Sequence, residues 1–193
     1  MAMANLGEFI RVSTELQPFL MGIAVSVLMG IILTLPISSA ALSIILSLSG
    51  LAAGAATVGC SAQMIGFAVI SFKANGWNGL LAQGLGTSML QVPNIMKKPI
   101  IWLPPIIVSA ILGPLATLVF KMQNNPAGGG MGTSGLVGQL MTWQTMSGQM
   151  NKVHLLIIIL FLHIILPAVL SLIVANIMKK RGLIKDEDYK LDL

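Results

Sequence analysis

Two short segments of this sequence carry neutral hydrogen-bonding groups in the same order. Gly84-Leu-Gly-Thr87-Ser88-Met-Leu-Gln91 and Gly130-Met-Gly-Thr133-Ser134-Gly-Leu-Val-Gly-Gln139 both read Gly-x-Gly-Thr-Ser with a glutamine following. Each comes after a polar turn with asparagines, Asn75 and Asn78 in one case, Asn124 and Asn125 in the other. Hydroxyls, amides and glycine-exposed backbone, without charge, suit a neutral polyhydroxyl ligand such as a sugar. The competing reading is that Gly, Thr and Ser are common wherever membrane helices pack closely.

The other reactive side chains are few. His163 sits four residues before Pro167, and proline removes the N–H that would bond the carbonyl of residue 163. An imidazole and a freed carbonyl therefore share one level of the last apolar segment, where an ionisable residue is a functional candidate. The bland alternative is a histidine bonded to a neighbouring helix. His154 lies nine residues earlier, half a turn round at about 100° per residue, so the two imidazoles cannot share a metal. Cys60 is the single cysteine and lies among Gly59, Ser61 and Ala62, which reads as buried and inert. Met141, Met146 and Met150 read as gap fillers rather than copper ligands. Gly128 to Gly132 lacks the Lys-Ser/Thr ending of a phosphate loop. No metal and no cofactor is expected. Every acid lies at the ends of the chain: Glu8, Glu15, Asp186, Glu187, Asp188 and Asp192. Between Leu16 and Lys185 there is no carboxylate, which excludes paired-carboxylate catalysis, a Mg or Ca cage and an Asp/Glu proton relay. No self-contained catalytic set is present, and whether the chain takes part in an enzymatic step stays open.

The elements that must position these groups follow from composition. Hydrophobic residues are 55% of the 193 and charged ones 9%, against about 25% charged in soluble domains. The expected fold is an all-α integral membrane domain, with about five transmembrane helices at about 20 residues each plus two Gly-rich re-entrant segments. One span runs near 17–35. The uncharged stretch 37–72 is 36 residues long and reads as two tightly packed helices, with a turn or unwound stretch in the small-residue run Gly50 to Gly59. Two more spans cover 100–120 and 153–178. Segments 80–92 and 131–146 are short and polar, and read as re-entrant arms entering from opposite faces. Residues 1–181 would form the membrane domain and 182–193 a soluble acidic tail.

The net charge of +5 is scattered at span ends, which points to the lipid bilayer and away from nucleic acid. With Lys179, Lys180 and Arg181 in the cytoplasm, eight basic residues fall inside and three outside. The C-terminus is then cytoplasmic. Five crossings leave the N-terminus outside, an arrangement natural for a chain normally preceded by further spans.

Several stretches resemble a known family. They are Leu16-Gln-Pro-Phe-Leu-Met21, Leu35-Pro-Ile-Ser-Ser39, Leu48-Ser-Gly-Leu-Ala-Ala-Gly-Ala-Ala56, Met89-Leu-Gln-Val-Pro-Asn94, Pro114-Leu-Ala-Thr117, the glycine-rich run 126–138 and the Asp-Glu-Asp-Tyr tail. Together they resemble the type 2 EIIC-like membrane proteins of the phosphotransferase system, the family that includes the perfringolysin regulator, and specifically its C-terminal half. The resemblance implies a multi-pass protein of the bacterial plasma membrane and a permease component of phosphoenolpyruvate-dependent sugar uptake. It also implies separate EIIA and EIIB chains as phosphoryl donors, and a homodimer by analogy. The chain departs from glucose-type EIIC domains in lacking their intramembrane Glu motif, and it contains no EIIA or EIIB domain.

The expected function is binding of a neutral, sugar-like solute between the two re-entrant segments. Thr87, Ser88, Gln91, Thr133, Ser134 and Gln139 would supply hydrogen bonds, with Asn94 and His163 as additions. The alternatives are a membrane regulatory or interaction protein that transports nothing, and a truncated, inactive half.

Overall fold

The structure, a computed structural model, describes residues 2–191; Met1 and the last two residues of the expected tail, Asp192 among them, lie outside the described residues. The described chain is helical and forms no strand; one isolated bridge joins Gly50 and Asn124.

Among the described residues, three helices are long and apolar enough to cross a membrane: Gly50–Ile70, Pro99–Val119 and Lys152–Lys180. A fourth apolar helix, α2 (Pro18–Thr34), is shorter at 17 residues. It follows α1 (Ala2–Leu16), on which Arg11 pairs with Glu8 and Glu15 at the surface.

The stretch 37–72 differs from expectation. Its first helix, α3 (Ser39–Ile45), has seven residues. At about 1.5 Å per residue it spans about 10 Å, far short of a bilayer of about 30 Å. The break falls at 46–49, where Ser47 takes a φ of 51°, and not in the small-residue run. That run instead opens α4, an unbroken helix over Gly50–Ile70. The correction has a physical reason. Small residues do not unwind a helix that other helices surround; they let neighbours come close.

That closeness organises the core. Of an 18-residue apolar stretch of α4, 89% is buried, whereas of one in Lys152–Lys180 33% is, so α4 is the central post. It packs against α2 and against α7 (Leu103–Pro114), and α2 and α7 also pack on each other. A Cβ on Gly59 would fall on the Ser26 carbonyl, and one on Gly113 on the Gly22 carbonyl. Hydroxyls bond across the same seams: Ser26 donates to the Ser109 carbonyl at 2.8 Å, and Thr117 to the Pro18 carbonyl at 2.7 Å.

Two long helices contain π turns beside prolines. Leu115–Val119 follows Pro114 at the end of α7. Phe161–Ile165 separates α10 (Lys152–Leu160) from α11 (Leu166–Lys180), just ahead of Pro167. Proline's missing N–H leaves the helical ladder incomplete at such places, and a wider turn is one way to accommodate it.

Candidate functional site: a cleft between two broken helical segments

Both glycine-rich segments are broken helices that lie against α4. The first starts with α5 (Phe72–Leu81), bent where Gly76 has a φ of 59°. A π turn over Ala82–Gly86 leads to Thr87, which is fully extended (φ −159°, ψ 142°). A 3-10 turn, Ser88–Gln91, and α6 (Val92–Lys97) complete it. The Thr87 hydroxyl accepts the Met89 amide at 3.1 Å and so caps the new turn.

The second segment begins at Asn124, whose amide reaches Thr57 Oγ1 on α4 at 2.7 Å and the Gly138 carbonyl at 3.1 Å. Asn125 caps the one-turn helix α8 (Pro126–Gly129) through the Gly128 amide. Non-helical backbone follows, with Gly132, Gly135 and Leu136 at positive φ, before α9 (Val137–Met146). Gly132 lies against the α4 backbone at Cys60 and Ser61, where a Cβ would collide.

The two Gly-Thr-Ser segments meet. Thr133 Oγ1 donates to the Gly84 carbonyl at 2.6 Å. Beside this contact is a cleft of about 180 Å3. Gly86, Thr87 and Met89 form one wall, and Gly130, Met131 and Ser134 another. Leu33 of α2, residues 37–40 and Met64 of α4 close it. The volume is below the ~300–1,000 Å3 of pockets that bury drug-sized ligands, so only a small solute fits this conformation.

The expected site residues divide into groups. Thr87 and Ser134 line the cleft, half-buried. Thr133 and Ser88 are fully buried in its walls; Ser88 Oγ bonds Thr34 Oγ1 at 2.8 Å. Gln91 and Asn94 turn away from the cleft, bond each other at 2.9 Å and hold the C-terminal tail. Gln139 and His163 form a separate buried pair, with Gln139 Nε2 3.3 Å from His163 Nδ1 and 3.5 Å from Ser61 Oγ. Gln139 Oε1 and His163 Nε2 have no hydrogen-bond partner among the described residues.

Sequence reasoning missed Ser38 and Ser39, which line the cleft; Ser39 also donates to the Gly130 carbonyl at 2.6 Å. A signal was present: Pro36 followed by Ser38-Ser39 before an apolar run is a helix start.

The tail is folded back onto the membrane body. Gly182 (φ 70°) ends α11, with the Leu183 amide bonded to the Met178 carbonyl at 3.1 Å. A 3-10 turn, Asp186–Tyr189, then brings Lys98 Nζ within 2.7 Å of Asp188, and Lys179 onto Asp186. Burial works against ionisation of the Asp188 carboxyl. The Lys98 hydrogen bond, the Lys185 amide and the charges of both lysines outweigh it and hold the group below the usual carboxylate range. Burial, and then the charges of Asp188 and Asp186, push the Tyr189 phenol up.

No curated protein and no solved structure matches the chain. The family described as "Phosphotransferase system, EIIC" matches residues 1–191, nearly the full length, and its membrane character accords with the long apolar helices. A helical membrane chain whose two glycine-rich segments wall a small uncharged cleft thus belongs to the phosphotransferase system EIIC family.

Proposed function

We propose that the protein is a permease component of a sugar phosphotransferase system, holding a small neutral polyhydroxyl solute in the cleft between its two broken hairpins. The observation that carries this reading is the Thr133–Gly84 contact, which joins two similar, otherwise remote segments around one cavity. Transporters build solute sites from discontinuous helices in this way, with backbone groups and hydroxyls lining a cavity that lipid cannot reach. Thr87, Ser134 and Ser38 are the solute-facing hydroxyls, and Thr133, Ser88 and Ser39 hold the walls. Gln139 and His163, with their unpartnered atoms, form an inner polar pair behind them.

The chain sits in the bacterial plasma membrane with its C-terminus in the cytoplasm, where the lysine-rich ends α6 and α11 meet the tail. Phosphoryl transfer comes from separate EIIA and EIIB chains, and two copies pair as a homodimer.

A thermal-shift screen of the purified protein against sugars and sugar alcohols tests the reading. A ligand that binds the native state alone raises apparent stability by mass action. One class of polyol should raise the melting temperature, and Thr87→Ala with Ser134→Ala should abolish the shift. Ser134→Ala alone should leave the unliganded melt in place, while Thr87→Ala should lower stability by about 1 kcal/mol, the worth of a lost cap. A flat response across the panel favours the regulatory, non-transporting reading.

A further inference from the structure

We propose that residues 183–191 are a releasable strap that governs the mobility of the first broken hairpin. The hairpin is clamped from two sides. On the cleft side it has the Ser88–Thr34 and Gly84–Thr133 bonds. On the other side its amide side chains hold the strap's backbone. Asn75 Nδ2 donates to the Tyr189 carbonyl at 2.8 Å, and Asn75 Oδ1 accepts the Leu191 amide at 2.8 Å. Gln91 donates to the same Tyr189 carbonyl at 3.0 Å, and Asn94 to the Lys190 carbonyl at 2.8 Å.

Tyr189 is the anchor. Its side chain is fully buried, its ring lies 6.2 Å from that of Phe67 on α4, and its hydroxyl donates to the Ile101 carbonyl at 3.0 Å. The link continues inward. Gln91 also donates to Gln83 at 2.9 Å, and Gln83 to Ser71 Oγ at 2.8 Å, so the strap is two side chains from the π turn that presents Gly84 to Thr133.

The strap is built to let go. Its regular structure is a single 3-10 turn, so side-chain contacts hold it, and releasing it unravels no long helix. The hairpin it holds already has two backbone breaks, at Gly76 and Thr87. Once released, the hairpin keeps the cleft-side hydroxyl bonds and gains freedom to widen the cleft. The strap's hold on the hairpin does not depend on what the cleft binds.

Hydrogen exchange on the purified full chain without solute is the test. Tyr189→Ala should free the strap and raise amide exchange in peptides covering 82–98 by about ten-fold or more, leaving peptides covering 50–62, the part of α4 away from the Tyr189 ring and Phe67, unchanged. Asn75→Ala removes two strap bonds without opening a core cavity and should raise exchange over 82–98 by several-fold at most, with α4 unchanged. Three results would overturn the proposal: a freed strap with an unaltered hairpin, a strap still protected in both variants, or a rise spread evenly over the molecule.

Discussion

Thr133 shows how much one hydroxyl can carry. It is fully buried, and the Gly84 carbonyl it bonds has no helical partner at that break. Thr133→Val keeps the shape and removes the donor, which leaves a buried acceptor unsatisfied at a cost of about 1–3 kcal/mol. The melt in detergent should fall for Thr133→Val and stay close to wild type for Thr133→Ser. Asp188 makes a pH-dependent contribution with a definite sign. Its carboxyl is held below the usual range when docked, so the stability it adds is present above the ordinary Asp value, about 3.9, and is lost as pH falls through the lower docked value. The groups around it are Lys98 and the Lys185 amide, with Glu187, Lys97 and Lys190 sharing the same polar cavity. Tyr189 is the one tyrosine in the chain, so 3-fluorotyrosine labelling reports on it alone. Its docked fluorine resonance should persist at pH 5 and give way to a free one below about pH 3.9, while Asp188→Asn should weaken docking at neutral pH.

At the level of elements, glycine and serine at four-residue spacing make the seams. Gly22, Ser26 and Gly30 line one face of α2, and Ser109, Gly113 and Thr117 one face of α7 and the π turn after it. Backbones approach there because no side chain stands between them. Gly59→Leu would drive a side chain into the Ser26 carbonyl and must push α2 off α4. That variant should fail to yield a monodisperse protein, whereas Gly148→Ala, with open space around it, should purify normally. The broken last span offers a gentler test. Pro167→Ala restores an N–H for the carbonyl of residue 163 and should straighten the helix around its π turn. Folding should survive. Loss of the polyol response with an unchanged melt would tie the break to solute binding, and an unchanged response would assign His163 and Pro167 to packing.

Across the whole molecule, α4 stands at the centre while the two broken glycine-rich segments, the cleft and the C-terminal tail are arranged around it. The proposed opposed entry of the two hairpins predicts different access to their serines. In a Cys60→Ser background, a cysteine introduced at Ser134 lines the cleft and should react with a membrane-impermeant thiol reagent on intact cells. One introduced at Ser88 is buried against Thr34 and should react slowly, and from the other face. Equal, fast labelling of both on intact cells refutes opposed entry. Labelling of neither from either side makes the segments packed core and removes the solute site.

Composition and charge placement determined the broad outcome. A chain with no carboxylate between Leu16 and Lys185 and long uncharged runs has to be a helical membrane protein. The spans over 100–120 and 153–178 were legible because proline and lysine punctuate them. The likeness of the Gly-Thr-Ser segments was legible as well, since identical residue types at equal spacing do not depend on the fold. Tertiary structure decided the rest. The run from Gly50 to Gly59 has the same composition whether it breaks a helix or packs one, and the close approach of α2 and Met122 to α4 made it a continuous post. Gln91 and Asn94 carry side chains suited to a sugar, yet besides each other and Gln83 they bond carbonyls of Tyr189 and Lys190, about a hundred residues away in sequence. An amide side chain bonds whatever acceptor the fold places beside it, and no local pattern records which one that will be.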